Sequence, residues 1–224
     1  MNNISIIVAH PDDETIGCGG TILKLLAAKK KVNLLTLSDG ISSRSISNKS
    51  KKIRTNNFKN VLKSYKFNHT KNLNFPDNAF DSVPLIEIIK SIETFINYTK
   101  TDTIFTHFPS DLNIDHQITS RATVTASRPQ PGQKIKNILF FEVLSSTDWS
   151  IDFKKFNPNY FEDISKFIKD KTKILKLYKD EIRNEPHTRS LPNIIRLSEL
   201  RGNSVGIKNA EAFEIFRAMN IQKF

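Results

Sequence analysis

The apolar run Ile4-Ser5-Ile6-Ile7-Val8 stops at Ala9-His10-Pro11-Asp12-Asp13-Glu14, and the small residues Gly17-Cys18-Gly19-Gly20 follow. A run of this length, with β-branched residues, reads as a buried strand. A strand that ends in a His and two adjacent Asp is a place for chemistry. His10 and Asp13, three positions apart on a tight turn, can close on one divalent cation while Asp12 points elsewhere as a free base. A second cluster follows another apolar run about a hundred residues on, from Ile104 through His107, Asp111, Asn113 and Asp115 to His116. Together the clusters offer His10, Asp13 and His116 as three ligands. Three ligands leave a coordination position open for water, the arrangement of catalytic rather than structural sites.

Further apolar runs near 32–37, 102–106 and 136–143 read as buried strands like the one at 3–8, with a weaker strand near 71–75. Helical patterns lie between them at 15–29 and 84–98, the latter opening with Pro84 and spacing Leu85, Ile88, Ile89, Ile92, Phe95 and Ile96 at three and four. Such alternation predicts an α/β fold, a Rossmann-like and mostly parallel sheet with helices on both faces. Ligands bind such sheets outside the carboxyl ends of the strands, where both His clusters fall. The segment 40–52, rich in Ser, Asn and Lys, reads as a mobile loop near the site mouth. Beyond it the pattern predicts a long helix over 162–182 and shorter helices near 192–201 and 209–219. We read residues 1–224 as one domain, with 144–224 a helical C-terminal elaboration that completes the site.

Charge bears on partners. Lys plus Arg number 34 against 23 for Asp plus Glu, a net +11, which raises nucleic acid, an anionic membrane surface or an acidic small substrate. The lysines at 166, 169, 171, 173, 176 and 179 recur through an amphipathic pattern and read as a solvated helix face. No aromatic-interleaved basic motif accompanies them, so a nucleic-acid partner is not expected. Nothing approaches the roughly 18 apolar residues of a membrane span. The single cysteine, Cys18, fits a reducing compartment, and the expected localisation is cytoplasmic. The oligomeric state, including a homo-oligomer, stays open.

The turn at 9–14 and the downstream Pro109, Asp111, Asp115 and His116 resemble the two marker motifs of the N-acetylglucosaminyl deacetylase family, PIG-L or LmbE-like. The similarity extends to Thr36, Asp39 and Gly40 and to Ala210-Glu211-Ala212-Phe213. Residues 128–132, 141–147 and 187–190 resemble bacterial sugar deacetylases more narrowly. The resemblance implies a Rossmann-like fold, a divalent metal, usually Zn2+ although Fe2+ is tolerated by the same ligands, and hydrolysis of an N-acetyl group on an acetylated amino sugar. It implies metal ligation by His10, Asp13 and His116, with Asp12 as general base. Many members carry His where this chain has Asn113, and that His helps steady the oxyanion; Asn113 offers a hydrogen bond without charge. An Arg-x-x-Glu pattern after the second strand is half present, as Arg54 followed by Asn57.

The expected reaction is attack of metal-activated water on the acetyl carbonyl, with Asp12 taking its proton. His187 could serve as acid or oxyanion donor if the C-terminal region folds over the site. Arg128, Arg189 and Ser190, with Arg54, are the expected substrate-binding residues, the arginines for sugar hydroxyls or a phosphate. His107 and Asp115 are expected behind the ligands as orienting residues, and His69 on the surface. Against these stands a plainer reading in which Asp12 only caps the following helix. The net charge leaves a nucleotide-linked or otherwise phosphorylated sugar open. The alternatives are a related amide hydrolase on a glycosyl conjugate or antibiotic precursor, and a basic nucleic-acid-binding module. A dinucleotide binder is disfavoured, since no Gly-x-Gly-x-x-Gly follows the first strand.

Overall fold

The computed structural model describes residues 1–41, 48–151 and 154–219. Its sheet has seven strands in the order β3-β2-β1-β4-β5-β7-β6. These are β1 (Asn3–Val8), β2 (Lys31–Ser38), β3 (His69–Phe75), β4 (Thr103–His107), β5 (Asn137–Phe141), β6 (Tyr160–Asp163) and β7 (Ala210–Arg217). The first five are parallel, and β7 and β6 add antiparallel. The strand order reverses between β1 and β4, which opens a crevice at their carboxyl ends.

Helices α1 (Asp13–Ala27), α2 (Asn48–Tyr65), α3 (Leu85–Tyr98), α4 (Ile114–Ala126), α5 (Ile168–Leu175) and α6 (Leu191–Asn203) cover the two faces. Alternate residues of one strand serve opposite cores. Ile4, Ile6 and Val8 pack with Ile22, Val61, Leu175 and Ile194 of α1, α2, α5 and α6. Ile7 and Ala9 pack with Ile88, Ile92 and Ala122 of α3 and α4. A strand buried on both faces reads as a continuous apolar run, which is why these strands were visible. The glycines of α1 answer to close packing: a Cβ at Gly17 would lie 2.3 Å from the Phe141 ring, and one at Gly20 2.8 Å from Ile164. Among the described residues no helix is long and apolar enough to cross a membrane.

Three expectations need correction. Residues 162–182 do not form one helix: Tyr160–Asp163 pairs with β7, and only Ile168–Leu175 is helical. The amphipathic spacing continues past 175, but the chain turns there so that Tyr178 OH reaches Glu14 Oε1 at 2.7 Å. The segment near 209–219 is β7, not a helix. Its Ala and Glu favour a helix intrinsically, and pairing with strands on both sides overrides that preference. The stretch expected as a loop over 40–52 is helical from Asn48, where α2 begins; the part at 42–47 lies outside the described residues.

Candidate active site

The carboxyl end of β1 delivers a strained turn. Asp12 has φ 118°, a region that side-chain-bearing residues adopt at a cost. It occupies the N-cap position of α1, yet its side chain makes no capping hydrogen bond, so capping does not account for it. Glu14 secures the turn instead, accepting from Asp12 N (3.1 Å), from Thr15 Oγ1 (2.6 Å) and from Tyr178 OH (2.7 Å).

The carboxyl end of β4 delivers the second half. His107 closes the strand, and its Nε2 accepts from Ala9 N at 2.9 Å. Asn113 then caps α4, its Oδ1 accepting from Asp115 N (2.8 Å) and His116 N (3.4 Å). That cap places His116 in the first turn, its ring stacked on His107 with centroids 3.9 Å apart.

The halves meet at Asp13. Its Oδ2 accepts from His10 N at 2.9 Å, and its Oδ1 faces His116 Nε2 at 3.4 Å. Asp13 Oδ1 and His116 Nε2 are both buried and lack a hydrogen-bond partner among the described residues. Such groups are costly to bury, and a divalent cation between them would satisfy both. One ligand atom each from His10, Asp13 and His116 lies within 4.8 Å of the others. Carboxylates back the imidazoles, as metal sites require: Asp115 Oδ2 stands 3.0 Å from His10 Nε2, and Asp111 Oδ1 3.1 Å from His116 Nδ1. The residues present therefore fit a divalent metal.

Electrostatics follow from burial and neighbours. Burial opposes charge on His10, but Asp115, Asp13 and Asp77 outweigh it and raise its pKa to about 10. His116 rises to about 9 against the same burial, through Asp13 and Asp111. Burial opposes charge on Asp13, but His116 beside it outweighs that and holds it well below the usual carboxylate range. Burial, then His116, holds His107 well below the usual histidine value, consistent with a neutral ring accepting the Ala9 amide. Asp12 moves up to about 7: burial drives it, and Arg189 opposes.

Of these groups, His10, Asp12, Asp13 and His116 line a small open cleft of about 80 Å³. Asn113, Arg54 and Arg189 line it too. Arg189 Nη1 donates to Asp12 Oδ2 at 3.1 Å, while its Nε donates to Leu144 O (3.1 Å) and Ser145 Oγ (2.6 Å). Arg54 is ion-paired with Glu181. Asn113 spends its oxygen on the cap and keeps Nδ2, 3.3 Å from Asn78 Oδ1. His69 is exposed, as expected.

Other expected site residues fall elsewhere. Ser190 is buried and caps α6, accepting from Asn193 N at 3.3 Å, so its hydroxyl is committed to the fold. His187 is exposed and absent from the cleft lining; its Nδ1 accepts from Arg189 N at 3.0 Å and orders that loop. Arg128 follows the C-terminus of α4, whereas His116 sits in its first turn. Ten helical steps from His116 to Ala126, at about 1.5 Å each, span roughly 15 Å; Arg128 lies beyond that end and lines a different cavity with Lys100 and Lys134. Asp77 was missed: its Oδ1 lies 3.2 Å from His10 Nε2. The readable signal was an Asp two residues beyond the strand ending at Phe75. Glu181 and Tyr178 carried no such signal, since both lay within the supposed long helix.

The family model described as PIG-L, GlcNAc-PI de-N-acetylase, matches residues 5–127. Among solved structures, a conserved protein from Thermus thermophilus is similar at TM-score 0.78 and 20% identity, over 99% of this chain and 98% of that one. N,N'-diacetylchitobiose deacetylase from Pyrococcus horikoshii is similar at TM-score 0.76 and 20% identity, over 96% and 83%. The 4-carboxy-2-hydroxymuconate hydratase of Pseudomonas putida is similar at TM-score 0.76 and 16% identity, over the whole of both chains. At these identities the structures share a fold, and one fold hosts more than one chemistry.

Proposed function

The chain belongs to the PIG-L family, and from that premise we propose that it is a metal-dependent N-deacetylase that hydrolyses the acetamide of an N-acetylated amino sugar. One observation carries the reading: Asp13 Oδ1 and His116 Nε2, each buried without a hydrogen-bond partner among the described residues, face each other at 3.4 Å beside the strained, buried Asp12. His10, Asp13 and His116 would hold the ion. We read it as zinc, although the same donors suit Fe2+. When bound, a divalent ion supplies Lewis-acid polarisation of a carbonyl and acidifies water.

The chain's own residues do the rest. Asp12 takes the proton from the attacking water as the new C–O bond forms. It returns that proton to the sugar nitrogen as the C–N bond breaks, giving acetate and the free amine. Burial raises the affinity of Asp12 for a proton, which suits a group that must both take and give one. Arg189 holds one Asp12 oxygen and fixes the direction of the other. Asn113 keeps only Nδ2 to donate to a developing oxyanion, since its oxygen caps α4.

We read the substrate as an uncharged acetylated sugar rather than a phosphorylated one. Among the described residues of the cleft, Arg54 and Arg189 are each engaged by a carboxylate, and Asp12, Asp13, Asp77 and Glu181 share the lining. The deacetylase among the structural neighbours supports a sugar substrate. The buried free thiol of Cys18 supports a reducing compartment such as the cytoplasm. The test is acetate release from N-acetylglucosamine and N,N'-diacetylchitobiose by protein stripped of metal and reloaded with Zn2+ or Co2+. Metal-dependent release abolished by Asp12→Asn is expected. No amine product from any acetylated amino sugar by the loaded protein defeats the reading.

A further inference from the structure

Two features remain outside this chemistry: Lys171, expected on a solvated helix face, and Glu211, within Ala210-Glu211-Ala212-Phe213. Both side chains are buried, at 3% and 4% exposure, and Lys171 Nζ lies 2.7 Å from Glu211 Oε1. The pair meets α1 at a break. Cys18 there has φ −145° and ψ 25°, which divides the helix in two. In a straight helix the Gly20 amide would donate to the Ile16 carbonyl. Here Glu211 accepts from Gly20 N (2.8 Å) and Thr21 N (2.7 Å), the amides after the break. Lys171 Nζ donates to Ile16 O at 2.9 Å, the carbonyl before it. The carboxylate caps the start of the second half and the ammonium the end of the first, each the charge that its terminus favours.

We propose that Lys171 and Glu211 are positioning residues for the metal centre. The first half of α1 spans only residues 13–17, and Asp13 opens it. One turn of helix cannot hold its own direction, so the side chains that grip it decide where Asp13 Oδ1 points. At its front those grips are Glu14 and Tyr178; at its back they are the ion pair. Because β7 and α5 supply the pair, the C-terminal part of the chain sets the angle of a ligand encoded at residue 13. The inference rests on the metal-centre reading given above.

Co2+ titration tests it, comparing the full-length protein with Lys171→Met/Glu211→Gln, which removes both charges and nearly preserves volume. The native protein should bind one Co2+ equivalent with visible ligand-field absorption. The double variant, with cooperative unfolding retained, should bind about tenfold more weakly, the low end for loss of an outer supporting partner, with an altered absorption envelope. Glu211→Asp keeps both charges but withdraws the carboxylate from the amides. It should weaken binding in the same direction by less, and it carries the test if the double variant does not fold. A lowered Tm with native Co2+ affinity and spectrum overturns the inference and leaves the pair purely structural. A native protein that binds no Co2+ overturns the metal-centre reading, and the inference with it.

Discussion

The two ends of β1 and β4 are built from similar residues and treated in opposite ways. At the amino ends, Asp102 accepts from Asn2 N (2.9 Å), Asn3 N (3.0 Å) and Thr103 Oγ1 (2.7 Å). Its own carbonyl accepts from Lys136 N and Asn137 N, so one residue ties the starts of β1, β4 and β5. At the carboxyl ends, Asp13 Oδ1 and His116 Nε2 lack such partners among the described residues, and Asp12 sits at a strained φ. One end satisfies its polar groups to hold strands together; the other concentrates unsatisfied ones where a ligand enters. Damage at the carboxyl end should therefore cost activity and leave the fold, and damage at the amino end should do the reverse.

The largest effect is expected at Asp12 and His116. Asp12→Asn should keep one equivalent of Zn2+ and lower kcat by about two to four orders of magnitude, the usual range for a positioned acid or base. His116→Ala should lose both the metal and turnover. Metal analysis beside steady-state kinetics separates the two roles, with thermal unfolding as the control. A variant of Asp12 that turns over normally would break the comparison at its active end.

Arg189 comes next. Its guanidinium reaches Asp12 while its Nε is held by Leu144 O and Ser145 Oγ, a set of contacts that an ammonium cannot reproduce from one position. Arg189→Lys should lower kcat about tenfold with KM unchanged within about twofold, because the contact is to the base and not to the sugar. A raised KM with native kcat would return Arg189 to substrate binding.

These residues also show what was legible in the sequence. Strands β1, β2, β4 and β5 were readable because burial leaves a largely apolar run, and His10, Asp13 and His116 because they follow β1 and β4. Asp77 follows β3, a mostly exposed strand with a weaker apolar signal, and was overlooked. The Arg189–Asp12 contact spans 177 positions, and no local pattern encodes a pairing of that kind. The last part of the chain misled for a physical reason. Glu211 belongs to a stretch with helical propensity that tertiary pairing converts to a strand, and Lys171 repeats with its neighbours as a surface lysine would.

A smaller effect belongs to Asp102. Burial works against its charge, but Thr103 Oγ1 and the amides of Asn3 and Asn2 hold its carboxyl below the ordinary value. A depressed carboxylate contributes stability that is present above its unfolded pKa of roughly 3.9 and lost as pH falls through its folded value. Asp102→Asn should then cost about 1 kcal/mol at neutral pH, the scale of a hydrogen bond to a charged group discounted for partial exposure. That deficit should shrink below about pH 4, while kcat stays native. Urea unfolding at pH 7 and pH 3 measures both, and a deficit that does not change with pH would remove the charge from the account.

The smallest effect is expected at Arg128, which tests the same division from the far end of α4. Roughly 15 Å of helix lies between it and His116, about twice the screening length at physiological salt, and it lies exposed beside Lys100 and Lys134. Arg128→Ala should leave kcat and KM within about twofold at 0.15 M salt, since neither contact nor field carries its charge to the cleft. A change confined to kcat/KM at low salt would be long-range steering and would leave the division standing. A severalfold rise in KM at ordinary salt would not, because the chain's own Arg128 cannot reach the cleft along a rigid α4. That outcome would require the loop of a second copy at the cleft mouth, and sedimentation of the active species would then have to show a homo-oligomer.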